Sequence, residues 1–100
     1  MLRHVVCLTW KPGTPAADVE AVGAALVALP GAIPEIRAYR VGTDLGLADG
    51  NADFGIVADF DDADAWRIYQ AHPEHVRIIT ELIRPHLAAR TAVQFDVLSS

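Results

Sequence analysis

The chain has a single cysteine, Cys7, so no disulfide can form within it, and a reducing compartment suits it. Cys7 lies between Val6 and Leu8, where nothing announces the electropositive, accessible setting a reactive thiol needs, and reads as a small buried hydrophobe rather than a nucleophile. Positive charge is also scarce. Eight Lys and Arg against thirteen Asp and Glu leave a net charge of −5, which argues against nucleic acid or an anionic membrane surface as partner. The pairs Arg37/Arg40 and Arg84/Arg90 are each close in sequence, but neither makes a basic stripe. No apolar run approaches the length of a membrane span, and MLRHVVCLTW is too short and too polar at Arg3 and His4 for a signal peptide. Repeats, low-complexity tracts and a phosphate-binding glycine loop are missing; GLADGN has no lysine after it and opens no helix. These absences describe a soluble, cytoplasmic protein.

What is present is apolar. Hydrophobic residues make up 52% of the 100 residues and charged ones 21%, enough for one compact domain over 1–100. So apolar a small domain suggests a further surface to bury, such as that of a partner chain.

The elements follow from periodicity and punctuation. Arg3 to Trp10 reads as a strand closed by Lys11-Pro12-Gly13. Thr14 is the expected N-cap and Pro15 the first residue of a helix whose face is Val19, Val22, Leu26 and Leu29, ending at Pro30-Gly31. A second strand is expected over Ile36–Val41, then a loop, TDLGLADGNAD, and a third strand over Asp53–Phe60. Asp61 and Asp62 offer caps for a short helix through Ala65, Trp66 and Tyr69. His72-Pro73 breaks it, because a residue before proline is pushed out of the helical region. The next helix carries the stripe Val76, Ile79, Leu82 and Ile83, Pro85 ends or kinks it, and a last strand covers Thr91–Leu98. The order β-α-β-β-α-β is that of an α+β, ferredoxin-like fold: an antiparallel sheet with helices on one face.

Both faces of that sheet carry apolar residues. His4, Val6, Leu8 and Trp10 share one face of the first strand, and Val5 and Cys7 the other with Arg3 and Thr9. In the third strand Phe54, Ile56, Ala58 and Phe60 oppose Gly55 and Val57. Two apolar faces predict two coverings, the helices and the sheet of a second copy; a homodimer is expected.

The chemistry-bearing residues gather in YQAHPEHV, Tyr69 to Val76. His72 and His75 lack the third protein ligand of a zinc site, and no H-E-x-x-H pattern occurs, so no metal is expected. Before Pro73, His72 reads as a helix-boundary residue bonding local backbone. His75, one turn into a helix, can face either solvent or the sheet, where its imidazole would titrate near neutral pH. Tyr69 fits an amphipathic helix in which the ring packs and the hydroxyl finds a partner. His4 alternates with Val6 and Leu8, either as a satisfied core histidine or as part of a cavity wall. His86 reads as surface.

The chain resembles the stress-responsive A/B barrel (Dabb) family over nearly its whole length. The resemblance rests on HVVCLTWKPGT, ALPGAIPEIRAYRVGTDLG, ADFGIVADFDDADAWRIYQAHPEHV and AVQFDV in that order, with HPEHV similar to the family's H-P-x-H-V signature. It implies two copies pairing their sheets into a dimeric α+β barrel, and needs no cofactor. Some members are known only as stress-induced proteins. A plant polyketide cyclase of the family closes its substrate by aldol condensation, which implies His75 as general base, Tyr69 as oxyanion donor and His4 as a further cavity histidine. A pocket between sheet and helices would then hold a small apolar or polyketide-like ligand, lined by Phe54, Val6, Leu8 and Ile56. Phe54 stands where that cyclase has another histidine, a departure that makes the expected pocket more apolar. The alternatives are a non-catalytic, ligand-binding or stress-responsive barrel, and a cofactor-independent oxygenase in which Trp10 or Trp66 takes part.

Overall fold

A computed structural model of the protein describes residues 1–98. Its elements are β1 (Leu2–Trp10), α1 (Ala16–Val27), α2 (Leu29–Ala32), β2 (Ala38–Thr43), β3 (Phe54–Phe60), α3 (Ala63–Ala71), α4 (Pro73–Arg77) and β4 (Leu87–Asp96). A π-helical turn, Ile78–Ile83, and a 3-10 turn, Arg84–His86, join α4 to β4. The sheet order is β2-β3-β1-β4 and all three pairings are antiparallel, the expected ferredoxin-like arrangement. The sheet is open, with β2 and β4 at its edges.

Alternation sorts the strands into two faces as expected. His4, Val6 and Leu8 of β1 and Phe54, Ile56, Ala58 and Phe60 of β3 are buried, and so is Tyr39 of β2, opposite Ala58. From the helices Val22, Leu26, Leu29, Tyr69, Ile78 and Ile83 close over them, with Ile33 and Ile36 from the connection to β2. Trp10 takes the inner side only partly buried. The outer face has no helix over it. There Val57, Val5 and Val93 form a row across β3, β1 and β4, and Val93 and Phe95 remain 53% and 44% exposed. Arg3 forks onto Asp59 at 2.8 and 2.9 Å on the same face.

Several expectations are corrected. Cys7 is exposed, not buried, since its place between the inward Val6 and Leu8 turns it to the uncovered face. Thr14 does not cap α1; its hydroxyl donates to the Lys11 carbonyl at 2.7 Å, and Pro15 holds the cap position. Pro30 and Gly31 do not stop the helical path but form the short α2, proline being tolerated in a first turn that needs no N–H from it. β2 starts two residues late, at Ala38, because Ile36 is spent on the core beneath the connection. β4 starts four residues early, at Leu87, directly after the 3-10 turn that contains Pro85. On α4 and the π turn the buried stripe is His75, Ile78 and Ile83 with Ile79 and Leu82 beside them, while Val76 stays half exposed at the rim of a cavity.

The break between α3 and α4 is as expected. Asp62 caps α3 by accepting from the Ala65 N–H at 2.9 Å. At the other end His72 adopts an extended ψ of 133°. Its Nδ1 accepts from the Glu74 N–H at 3.1 Å, capping α4 with Pro73 in the first turn. His72 is thus a joint. Replacing it with Ala is expected to cost about 1 kcal/mol, as for other lost caps. That corresponds to a melting midpoint lower by roughly 4–8 °C in a domain of this size. An unchanged midpoint would remove the cap from the account.

Candidate functional site: a cavity under the π-helical turn

The antiparallel register brings β4 alongside β1, but the helices cover β1 and β3 more fully than the β4 edge. Between them lies a cavity of about 460 Å³. Its floor is His4, Val6, Leu8 and Ile56 of the sheet, and Leu26 of α1 closes one side. Tyr69 and His75 stand over it, and Ile79, Thr80 and Ile83 bring the π turn to its rim. The π turn widens the helix by one residue where it meets the cavity, a deviation that often accompanies function.

Of the residues expected at a pocket, His4, Val6, Leu8, Ile56, Tyr69 and His75 all line this cavity. Phe54 does not. It packs at 5.9 Å centroid distance from Trp10, at the far end of the strands, because it pairs with Leu8 and Thr43 rather than with the His4 end of β1. Trp10 and Trp66 are also absent from the lining. Their indole nitrogens are buried without a partner, and Trp66 lies 5.9 Å from His4, centroid to centroid. His86 is partly buried near Asp18, at 3.6 Å.

The polar groups of the cavity are ordered by their neighbours. The His75 ring sits 4.3 Å from that of Tyr69. His75 Nδ1 is 3.2 Å from the Gln70 carbonyl, which can only accept, so Nδ1 carries the proton and Nε2 keeps its lone pair. The side-chain amide of Gln94 donates to His4 Nδ1 at 2.7 Å, which puts the proton of neutral His4 on Nε2. The Tyr69 hydroxyl is 2.9 Å from that of Tyr39. Burial raises the Tyr69 pKa, and the Tyr39 hydrogen bond opposes that rise. Burial and the neighbouring Tyr69 raise Tyr39 further. Either hydroxyl can donate in this pair, and when Tyr39 donates the Tyr69 proton is free for another acceptor.

Burial pushes the His4 imidazole down to about 4, with the charges of Arg90 and His75 adding to the effect. His75 is lowered chiefly by burial; the Gln70 carbonyl works against this, while Arg90 and His72 add to the lowering. Both rings are neutral at pH 7. The unfolded chain binds these protons near the ordinary imidazole value of about 6.5. Their contribution to stability is therefore complete above that pH and is lost as the pH falls from about 6.5 toward the lowered folded values. Melting midpoints recorded from pH 7.5 to 4 are expected to fall over that window, and a flat profile would contradict it.

Tyr39, Gln70, Gln94, Thr80 and Arg90 are site residues that sequence reasoning did not single out. Gln94 could have been found from register, since it faces His4 across the β1–β4 pair. Among the described residues no three His, Cys, Asp or Glu side chains are placed to hold a metal ion, and no helix is long and apolar enough to cross a membrane.

Comparison with known proteins agrees with this architecture. A dimeric ferredoxin-like protein of unknown function from Thermobifida fusca YX is 47% identical, with a TM-score of 0.89 over 96% of this chain and 90% of the other. The hydroxynitrile lyase of Passiflora edulis is similar in fold, with TM-score 0.86 and 16% identity over 99% and 94% of the two chains. So is SnoaB, a cofactor-independent oxygenase from Streptomyces nogalater, with TM-score 0.78 and 19% identity over 99% and 94%. Among curated proteins none matches. The model of the Stress Responsive A/B Barrel Domain matches residues 2–97, so the chain belongs to the Dabb family.

Proposed function

We propose that the protein is a homodimer whose subunits each hold a small-molecule site for base-initiated chemistry at a carbonyl compound, of the aldol-type ring closure run by polyketide cyclases. One observation carries the reading: His75 presents an unprotonated Nε2 beside a protonated Tyr69 phenol on the wall of one apolar cavity. His75 Nε2 takes a proton from the carbon between two carbonyl groups, and Tyr69 donates a hydrogen bond to the enolate oxygen that forms. The enolate carbon attacks a second carbonyl of the same chain held folded in the cavity. The new alkoxide then takes the proton back from His75, so the cycle balances without a cofactor. His4, neutral with its proton on Nε2, is a second donor for the developing charge. Tyr39 is a positioning residue that acts through Tyr69.

Proton removal next to or on an oxygen function is also how a hydroxynitrile breaks down, so one base can serve more than one reaction within this class. The exposed row Val57, Val5 and Val93 supports the dimer, as does the dimeric state of the Thermobifida relative. Pairing two open sheets along that face would complete the α+β barrel. The single thiol supports a cytoplasmic location.

The test is deuterium exchange. Methyl 3-oxooctanoate in D₂O is expected to lose its C2 protons faster with the protein than with buffer of equal pH, followed by proton NMR. No acceleration, with the compound shown to bind, would leave a ligand-binding barrel in place of an enzyme.

A further inference from the structure

The protein has eight basic side chains against thirteen acidic ones, and six of the eight are engaged within the chain. Arg3, Arg37, Arg67 and Arg77 pair with carboxylates. Arg40 donates to the Tyr39 carbonyl and Lys11 to that of Pro85. Arg84 and Arg90 have no such acceptor among the described residues, and these two line the cavity. Among the described residues no Asp or Glu lines it. In a chain of net charge −5 the cavity that holds His4 and His75 thus has two unneutralised guanidiniums and, among the described residues, no carboxylate.

Their positions separate them from the reacting groups. Arg84 opens the 3-10 turn after the π turn, and Arg90 pairs with Leu8 on β4, two positions along the register from Ala92 and four from Gln94, which faces His4. Both are exposed, as a cation at an entrance should be, while His4, Tyr69 and His75 are buried. The charge of Arg90 reaches inward to all three, adding to the lowering of His4 and His75 and opposing the rise of Tyr69. Between the two ends the lining is Val6, Leu8, Leu26, Ile56 and Ile83.

We infer that the ligand of this cavity is an amphiphilic anion, a carboxylate or phosphate ester on a short, largely apolar body, with its charged head held by Arg84 and Arg90 and the far end of that body, which bears the carbonyls of the proposed reaction, directed toward His75 and Tyr69. The inference rests on the cavity being a small-molecule site, and it names the ligand's charge, which the base chemistry does not. A guanidinium fork suits either head through paired charge-assisted hydrogen bonds. A single apolar segment fits the aliphatic walls.

Octanoate, 1-octanol and octyl phosphate share one chain and differ in the head, so they separate the charge from the cavity. Binding is followed by ¹H–¹⁵N chemical-shift titration of the wild type and of the double variant Arg84→Gln/Arg90→Gln. Octanoate or octyl phosphate is expected to bind about tenfold or more tightly than octanol, with shifts at Thr80, His75 and Leu87. The double variant is expected to bind acid and alcohol alike. The tighter of the two anions identifies the head, and either order supports the inference. Equal affinity for the alcohol and both anions in the wild type would overturn the inference while leaving the cavity as a site. An anion preference that survives in the double variant would likewise overturn it. Binding of none of the three, or shifts confined to Val5, Val57 and Val93, would overturn both it and the small-molecule reading.

Discussion

His75→Gln is expected to lower protein-catalysed C2 exchange of methyl 3-oxooctanoate by about 10²- to 10⁴-fold, the range general-base catalysis contributes. Glutamine keeps a neutral polar group of similar reach but has no basic nitrogen, so the loss reads the proton transfer and not the packing. Melting midpoint and dimer mass should stay near the wild-type values, because the bond His75 makes is a single one to the Gln70 carbonyl. Tyr69→Phe removes the donor to the enolate oxygen, and with it the partner of the Tyr39 hydroxyl, and is expected to cost about 10²-fold, as for other oxyanion donors. Tyr39→Phe should weaken exchange less than Tyr69→Phe, and only while Tyr69 is present, since Tyr39 acts through it. Exchange at the wild-type rate in His75→Gln would end the proposed role of His75.

Val93→Asp is expected to convert a dimer of two 10.8 kDa chains into a monomer, read by sedimentation velocity at micromolar concentration. Val93 lies beside Val5, which lies beside Val57, so a carboxylate there enters the β4 end of the row proposed to meet a second sheet. Burying that charge without a partner costs several kcal/mol. A loss of only 2.8 kcal/mol would already raise the dimer dissociation constant by about a hundredfold. Val93→Thr, nearly equal in shape and uncharged, should remain dimeric and so separates charge burial from misfolding. A wild-type protein that sediments as a monomer would sink the dimer itself.

How much could be read without coordinates differs from element to element. The sheet was legible because its alternation is strict: Val6 and Leu8 inward and Val5 outward follow from a period of two and nothing else. The α3–α4 break was legible because His72-Pro73 is a local steric fact. On the last helix Ile79, Leu82 and Ile83 of the expected stripe pack as expected, Val76 does not, and His75 and Ile78 join them. The spacing 75, 78, 79, 82, 83 is a complete helical stripe, with Ile at 78, 79 and 83 and Leu at 82, but its first member is polar. Beginning the stripe at Val76 made it apolar throughout and left the facing of His75 open. The reverse inference was available: a histidine in phase with four apolar residues faces what they face. The family correspondence puts Phe54 in the cavity, whereas register puts it at the Leu8 end of β1, away from His4. The hydroxyl pair of Tyr39 and Tyr69 joins residues 30 positions apart, and no local pattern announces it.

β1 puts His4, Val6 and Leu8 on the cavity and Val5 and Cys7 on the opposite surface, so neighbouring residues belong to different tasks. Point changes can alter one task at a time, and the two surfaces can diverge independently. A one-residue insertion or deletion within the strand cannot do this, because it would turn every later side chain over and exchange the two surfaces. Length polymorphism among natural variants should therefore concentrate between Asp44 and Asp53, where the chain leaves the sheet. Redesign of either surface can proceed by substitution alone.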